Sequence, residues 1–332
     1  MLLLALGLRD LGHEPFLIGS PESPLVEKSR AAGLPVGAIP MAGDWDLRAA
    51  RRIRARMRTW NVDLVHAHDA RSHALAMIAL IGRPEMPLVV TRRVAFTPRS
   101  VKLKYGPRVT RFIAISSAVK NAMVNAGIDG SRISVIRSGI GVKSGIVPRP
   151  WRNELHWPAD SVVCGIVGAM TSEKGTDLLP EIAAALTPAV RQKVRVVLLG
   201  GQPGGNAEIA GIVMHSAGFV DDIDPAVAGL DLLIHPSRSE GLGTAVIDAM
   251  ALGVPPIAFA VGGLPEVIVN ETSGILVAPG DTEALAMQVG RLVDDPALRA
   301  KLGEGARERS RVFDAAGMTQ ETEAVYNEVL SG

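Results

Sequence analysis

Apolar residues in this chain gather in short runs, and the segments between most runs carry apolar positions at helical spacing. In the first half the strand-like runs are EPFLIGS, LPVGAIP, VDLVHAHD, PLVVTRR, RFIAISS and RISVIRSG. In the second half they are VVCGIVGAM, VRVVLLGG, LDLLIHPS, PPIAFAV and GILVAPG. Apolar runs separated by helical patterns of roughly 10–15 residues predict parallel sheets covered by helices on both faces. The stretch GVKSGIVPRPWRNELHWPAD (141–160), with three prolines and two tryptophans, breaks this rhythm. The pattern therefore predicts two doubly wound, Rossmann-like domains, 1–146 and 161–312. Residues 147–160 connect them, and a final helix within 313–332 packs back on the first domain.

Two local patterns refine this picture. Asp46 is placed to cap LRAARRIRARMRTW, in which Leu47, Ala50, Ile53, Met57 and Trp60 share one face and arginines 48, 51, 52, 54, 56 and 58 occupy the rest. That arginine face is either a solvated surface or a basic face toward anionic lipid or acceptor. At the start, MLLLALGL is followed at once by RDLGHEP and lacks a small-residue cleavage site, so it reads as a helix rather than a signal peptide. A doubly wound domain normally opens with a strand and a glycine-rich turn. Here Met1 already lies in a helical pattern, so either the domain begins with a helix or that strand and turn are absent.

Composition adds bounds. The 332 residues are 47% hydrophobic and 21% charged, a globular balance, and no apolar run approaches the ~20 residues of a membrane span. The single cysteine, Cys164, lies in a strand-like run and cannot build a disulfide framework, which favours a reducing, cytoplasmic setting. Residues 1–150 hold 23 Lys and Arg against 10 Asp and Glu, a balance of +13, and the remainder balances at −12. A basic first half suits an anionic partner such as a phosphorylated substrate or a membrane surface.

The chemistry concentrates in SRSEGLGTAVIDAM (237–250), which follows the run LDLLIHPS. A helix starting near Thr244 offers free N–H groups and the positive end of its dipole to an anion. Gly241 and Gly243 let the backbone approach a ligand closely. Glu240 stands at the carboxyl end of a strand, where open α/β sheets bind ligands. Thr244 and Asp248 are four apart, on one face of an otherwise apolar helix. The dipole alone would favour an acid near the helix start by ~0.3–1 kcal/mol, so a purely structural reading stands beside the functional one.

Weaker signals need less. HAHDARSH clusters His66, His68, Asp69 and His73, which suits zinc, a substrate-facing surface or packing. DWD (44–46) and DID (222–224) match the Asp-x-Asp of a metal–nucleotide site, but both precede helical patterns and read as caps. GGQPGGN (200–206) lacks the dinucleotide fingerprint and reads as a flexible loop.

The segment HPSRSEGLGTAVIDAMALGVPPIAFAVGGLPEVIVNETSGILVAPGDTEALA resembles the donor-binding segment of family-4 (group 1) retaining glycosyltransferases of the GT-B fold, an α/β fold of two Rossmann-like domains facing a cleft. VGAMTSEKGTDLL, GFVDDIDPAVAGLDLLIHPS, VDLVHAHDARSHALA, RFIAISSAVKNAMV and RISVIRSGI are similar to further family segments. The resemblance implies metal-independent transfer of a sugar from a nucleotide-diphosphate-sugar co-substrate, without a cofactor. The basic first half, rather than the resemblance, favours an anionic, lipid-linked or polysaccharide acceptor at the cytoplasmic face of the membrane, as in envelope polysaccharide assembly, and no nucleic acid is expected. Glu240 would hold the sugar hydroxyls. Gly168, the backbone of Gly241, Leu242 and Gly243, and Thr244 would line the donor. Lys174 would neutralise the diphosphate, Val220 would lie near the base and Asp248 would meet the ribose. On the acceptor and sugar side the candidates are His68, Asp69 and Arg71 from HAHDARSH, and Arg92 and Arg93 from PLVVTRR.

Three departures stand out. Ala169 replaces a family Arg, with Arg137 or Arg93 as substitute. Arg93 stands where the family commonly has a His, so it joins Glu240 and Lys174 among the catalytic candidates. The match also begins inside the first family helix and so lacks the first strand and its Gly-Gly loop, which would expose a sheet position. Two alternatives remain: a nucleotide-sugar epimerase of the same fold, or a catalytically impaired sugar-nucleotide-binding protein.

Overall fold

The computed structural model describes residues 1–97, 101–141 and 143–331. The chain divides into two compact units, Met1–Gly141 with Asp314–Gly332, and Val142–Phe313. The stretch 147–160 thus lies in the second unit, where Trp151 is buried and its indole N–H donates to the Ala226 carbonyl at 2.8 Å. The terminal helix Ala315–Ser331 lies in the first.

In the first unit, β1 (Leu17–Gly19) and β2 (Val36–Ala38) form one parallel pair. β3 (Val65–Ala67), β4 (Leu88–Arg92), β5 (Arg111–Ala114) and β6 (Ile133–Val135) form a parallel sheet in that order. Among the described residues β1 pairs only with β2, and β3 only with β4. A cavity of about 590 Å³ is lined by Phe16 and Ile18 from the β1 side, by Leu64 and His66 from the β3 side, and by Leu4 and Tyr326. The terminal helix packs on the four-stranded sheet, where Val325 joins Val89, Ile113 and Ile136 in one core cluster.

Asp46 caps Leu47–Thr59 as its position predicts, accepting from the Ala49 amide at 2.9 Å. Ala49, Ala50, Ile53 and Met57 are buried on that helix, and arginines 48, 51, 52, 56 and 58 are exposed. Leu47, expected on the inward face, is 56% exposed because it begins the helix beyond the packed turns. Asp69 caps Ala70–Ala79 in a capping box with Ser72.

The second unit holds six strands in the order β12-β11-β10-β7-β8-β9. They are β7 (Val162–Val167), β8 (Val194–Ile209), β9 (Ile212–Gly218), β10 (Leu232–His235), β11 (Pro256–Phe259) and β12 (Ile275–Val277). Every residue of β7, β10 and β11 is buried, as strands covered on both faces require. Cys164 sits in β7 and is fully buried, and burial pushes its thiol above the ordinary range.

The structure corrects two expectations here. GGQPGGN is not a loop: Gly200–Asn206 lies within β8, whose second half runs antiparallel to β9 from Gly205↔Ser216 to Ile209↔Ile212. Ala210 and Gly211, both at positive φ, form the tight turn that such a hairpin favours. The second correction concerns DID. Asp222 precedes Ile223–Ala228 but makes no side-chain capping bond, and Asp224 pairs with Lys143 instead.

Candidate functional site

The site grows from the carboxyl end of β10, inside the sheet between β11 and β7. The chain leaves β10 at His235, runs through Pro236 to Gly243, and enters the helix Thr244–Ala251. Gly243 is the N-cap at φ +91, and a Cβ there would run into Leu264, so only glycine makes this entry. The first amides to find partners are those of Val246 and Ile247, both bonded to the Gly243 carbonyl. The Thr244 and Ala245 amides donate to nothing among the described residues, which leaves the positive helix end open. Thr244 itself is exposed, whereas the Leu242 side chain is buried, so Leu242 can offer a ligand only its backbone.

Glu240 is the buried centre of this loop, with 7% of its surface exposed. Three donors converge on its Oε1: Lys174 Nζ at 2.5 Å, His235 Nε2 at 2.7 Å and Ser237 Oγ at 3.0 Å. Burial alone pushes the carboxyl up, but the hydrogen bond and charge of His235, and then those of Lys174, outweigh burial and hold it at about 2. Glu240 is therefore an anion across the physiological range. Lys174 ends the short turn Ser172–Lys174. Arg238 ties the two loops together: its amide donates to the Glu173 carbonyl at 2.9 Å, and its guanidinium grips the Asp177 carboxylate through two bonds, at 2.6 and 2.9 Å. From the other side, the Gly263 amide donates to the Glu240 carbonyl at 3.3 Å. Gly262, at φ +53, packs so tightly that a Cβ would collide with that same carbonyl oxygen.

Asp248 has a different environment. Lys143 Nζ lies 3.2 Å from its Oδ1 and donates to both Asp224 oxygens, at 2.7 and 2.8 Å. Burial raises the Asp248 carboxyl; Lys143 opposes this without overcoming it, and Asp224 adds to the rise. Gly168 follows β7 at φ +138, its amide bonded to the Leu199 carbonyl. Val220 lies just past β9, half-buried.

In the first unit the expected residues separate. Asp69 accepts from the Arg71 and Ser72 amides and from the Ser72 hydroxyl as a helix cap. Arg71 reaches the Met41 carbonyl at 3.2 Å. Arg92 bonds Tyr105 Oη at 2.8 Å and lies over the Phe96 and Tyr105 rings. Arg93 bonds Ser138 Oγ at 3.2 Å. His68 packs against His66 with ring centroids 3.9 Å apart and the planes tilted by 33°, and its Nδ1 finds no partner among the described residues. Burial, then His66 and Arg93, push His68 well below the ordinary histidine range, so the ring is neutral.

Sequence reasoning thus reaches Glu240, Lys174 and the helix entry but not His235, Ser237, Lys143 or Gly262. One signal for His235 does exist: it is the polar residue that ends an otherwise apolar strand.

This arrangement can be set beside known proteins. Residues 149–309 match the family described as Glycosyl transferases group 1, and residues 1–143 match Glycosyltransferase Family 4. The chain is 30% identical to a D-inositol 3-phosphate glycosyltransferase of Salinispora tropica, over 82% of this chain and 60% of that one. It is 29% identical to the protein of that name from Saccharomonospora viridis, over 81% and 70%. The chain thus spans 60–70% of the length of these relatives. Among solved structures, the Anabaena protein HepE in complex with UDP-glucose superposes with a TM-score of 0.84 at 20% identity, covering 98% of this chain and 94% of that one. Sucrose-phosphate synthase from Thermosynechococcus elongatus superposes with a TM-score of 0.79 at 20% identity, covering 99% and 92%.

Proposed function

Because the chain belongs to the family-4 (group 1) glycosyltransferases of the GT-B fold, we propose that it transfers a sugar from a nucleoside-diphosphate-sugar donor to an anionic acceptor with retention of configuration. One observation carries this reading: an ionised, buried carboxylate and an open helix N-terminus, both from the loop after β10, meet a lysine from the turn Ser172–Lys174. In this scheme Glu240 accepts from the donor sugar's hydroxyls. The diphosphate lies at the Thr244 and Ala245 amides and the Lys174 ammonium. Breaking the bond between anomeric carbon and phosphate oxygen puts charge on that oxygen, where these fixed donors stabilise it. The acceptor oxygen attacks from the same face, and its proton passes to the leaving phosphate oxygen. Positive charge comes from the protein, so transfer should persist in a metal chelator.

The donor set supports a nucleotide sugar, and the solved neighbour holding UDP-glucose makes a uridine nucleotide the first to try. The relatives' name points to an inositol phosphate acceptor, which suits the +13 balance of residues 1–150. The test is release of nucleoside diphosphate from UDP-, GDP- and ADP-sugars with and without inositol 3-phosphate. Acceptor-dependent release, abolished in Glu240→Ala, supports transfer. An epimeric nucleotide sugar formed without acceptor would replace it with epimerisation, and donor binding without turnover would leave a binding protein.

We also propose a peripheral position on an anionic, cytoplasmic membrane face. Among the described residues no helix is long and apolar enough to cross a membrane. The helix Leu47–Thr59 presents five exposed arginines beside Trp45 and Leu47, 67% and 56% exposed, a basic surface with an aromatic anchor. Sedimentation with vesicles containing anionic lipid, lost in Trp45→Ala combined with Arg51→Glu and Arg52→Glu, is the expected result. Equal sedimentation with neutral vesicles would overturn it.

A further inference from the structure

We infer that His235 is a positioning residue that fixes which oxygen Glu240 presents to the donor sugar. The inference rests on the reading of Glu240 as the sugar-hydroxyl acceptor. His235 ends β10 with 3% of its surface exposed, beneath the carboxylate. An ionised carboxylate can only accept, so the 2.7 Å contact from His235 to Glu240 Oε1 requires the ring proton on Nε2. Ser237 Oγ, fully buried, stands 3.0 Å from the same oxygen and 3.2 Å from His235 Nε2. Lys174 is the third donor to Oε1. Oε2 accepts from no donor among the described residues. The carboxylate is thus divided: one oxygen belongs to the protein and the other is left for substrate.

The three donors are not equivalent. The Lys174 side chain is 29% exposed, and its ammonium is the cation that an arriving diphosphate would draw toward itself. His235 and Ser237 are enclosed and have no such competitor. When a donor binds, they keep Oε1 turned inward and so keep Oε2 on the sugar. Of the two, the histidine makes the shorter contact, from a ring held by a central strand. Loss of its N–H lets the carboxylate rotate about its terminal bond, which displaces Oε2 by a fraction of its working distance. Misplacement on that scale costs turnover more than binding.

The test compares His235→Leu, which removes the N–H, with His235→Gln, whose amide can donate near the Nε2 position. Purified full-length variants are assayed for kcat and donor KM, with thermal unfolding measured in parallel. The expected result is a fall in kcat of about 10- to 100-fold in His235→Leu, a donor KM changed by less than about threefold, and recovery of most of the turnover in His235→Gln. In a Glu240→Gln background His235→Leu should cause no further loss, because its action passes through the carboxylate. Wild-type kcat in His235→Leu, equal losses in both substitutions, or additive losses in the double variant would each overturn the positioning role. Full activity of Glu240→Gln alone would instead remove the underlying reading of Glu240. Should His235→Leu not fold, the comparison of His235→Gln with Ser237→Ala decides. A kcat loss without a KM change in Ser237→Ala, with near-normal His235→Gln, supports the division of the carboxylate; wild-type turnover in Ser237→Ala overturns it.

Discussion

The Glu240 cluster makes a quantitative demand on how stability depends on pH. A carboxyl of this kind titrates ordinarily near 4.5 and is held at about 2 in the folded protein. A tenfold change in proton affinity corresponds to about 1.4 kcal/mol, so ionised Glu240 contributes about 3 kcal/mol to the folded state at neutral pH. The folded carboxyl is the stronger acid, so the unfolded chain binds more protons between pH 4.5 and 2, and stability rises with pH across that window. The contribution is complete above the unfolded value and is lost as pH falls through the folded one; by pH 3 about 2 kcal/mol of it has gone. Glu240→Gln keeps the shape and removes the titration. Urea unfolding of wild type and variant, followed by the fluorescence of Trp151 and Trp157 in a protein whose other two tryptophans are replaced by phenylalanine, isolates the second unit. The wild-type advantage over the variant should shrink by about 2 kcal/mol between pH 6 and pH 3. An advantage that stays constant across that range would show that His235 and Lys174 do not hold the carboxyl down, and the electrostatic account of the site would fail with it.

Three further outcomes follow from the same geometry. Lys174→Ala should weaken binding of free nucleoside diphosphate by about 10-fold or more, the scale of a lost charge-assisted hydrogen bond; unchanged affinity by calorimetry removes its diphosphate role. Gly262→Ala places a methyl group against the Glu240 carbonyl oxygen at φ +53, and should destabilise the second unit by at least about 2 kcal/mol in chemical unfolding; a wild-type midpoint contradicts the tight packing. Asp248→Glu should leave donor affinity within about threefold, because one methylene is a gap that water can bridge; a larger loss means that the pocket around Lys143 is built for the shorter acid.

How far the sequence reaches is plain from particular residues. All eleven apolar runs singled out as strands contain one, and the signature is densest in β7, β10 and β11, which are buried at every residue. The twelfth, IVMHSAG, carries His215, Ser216 and Gly218 and pairs antiparallel with the glycine-rich end of β8. It lies between the two halves of β8, pairing with Arg195–Leu199 on one side and Gly205–Ile209 on the other; that second half is exposed, and its glycines read as a loop. The helix cap at Asp46 is legible as a position, since a cap is a local contact. That Asp69 caps Ala70–Ala79 with both of its oxygens is not, because it depends on the side-chain rotamer.

The site divides along the same line. Glu240, Gly243 and Thr244 follow one another in the chain, and strand, turn and helix entry are sequential events that a pattern can register. Their supports are not sequential. Lys174 reaches Glu240 across 66 positions, and Lys143 reaches Asp224 across 81. Gly262 presses on Glu240 only because β11 returns beside β10. Two acids eight positions apart in SRSEGLGTAVIDAM look alike as sequence, yet burial acts on both and the outcome is opposite. Glu240 meets three donors on one oxygen and is held ionised, whereas Asp248 meets one lysine already engaged by Asp224 and is pushed up. The number and prior commitment of partners set the proton affinity of a buried acid. That is why the chemistry of Asp248 is tied to Lys143, a residue 105 positions earlier in a segment whose prolines and tryptophans stand out and whose lysine does not.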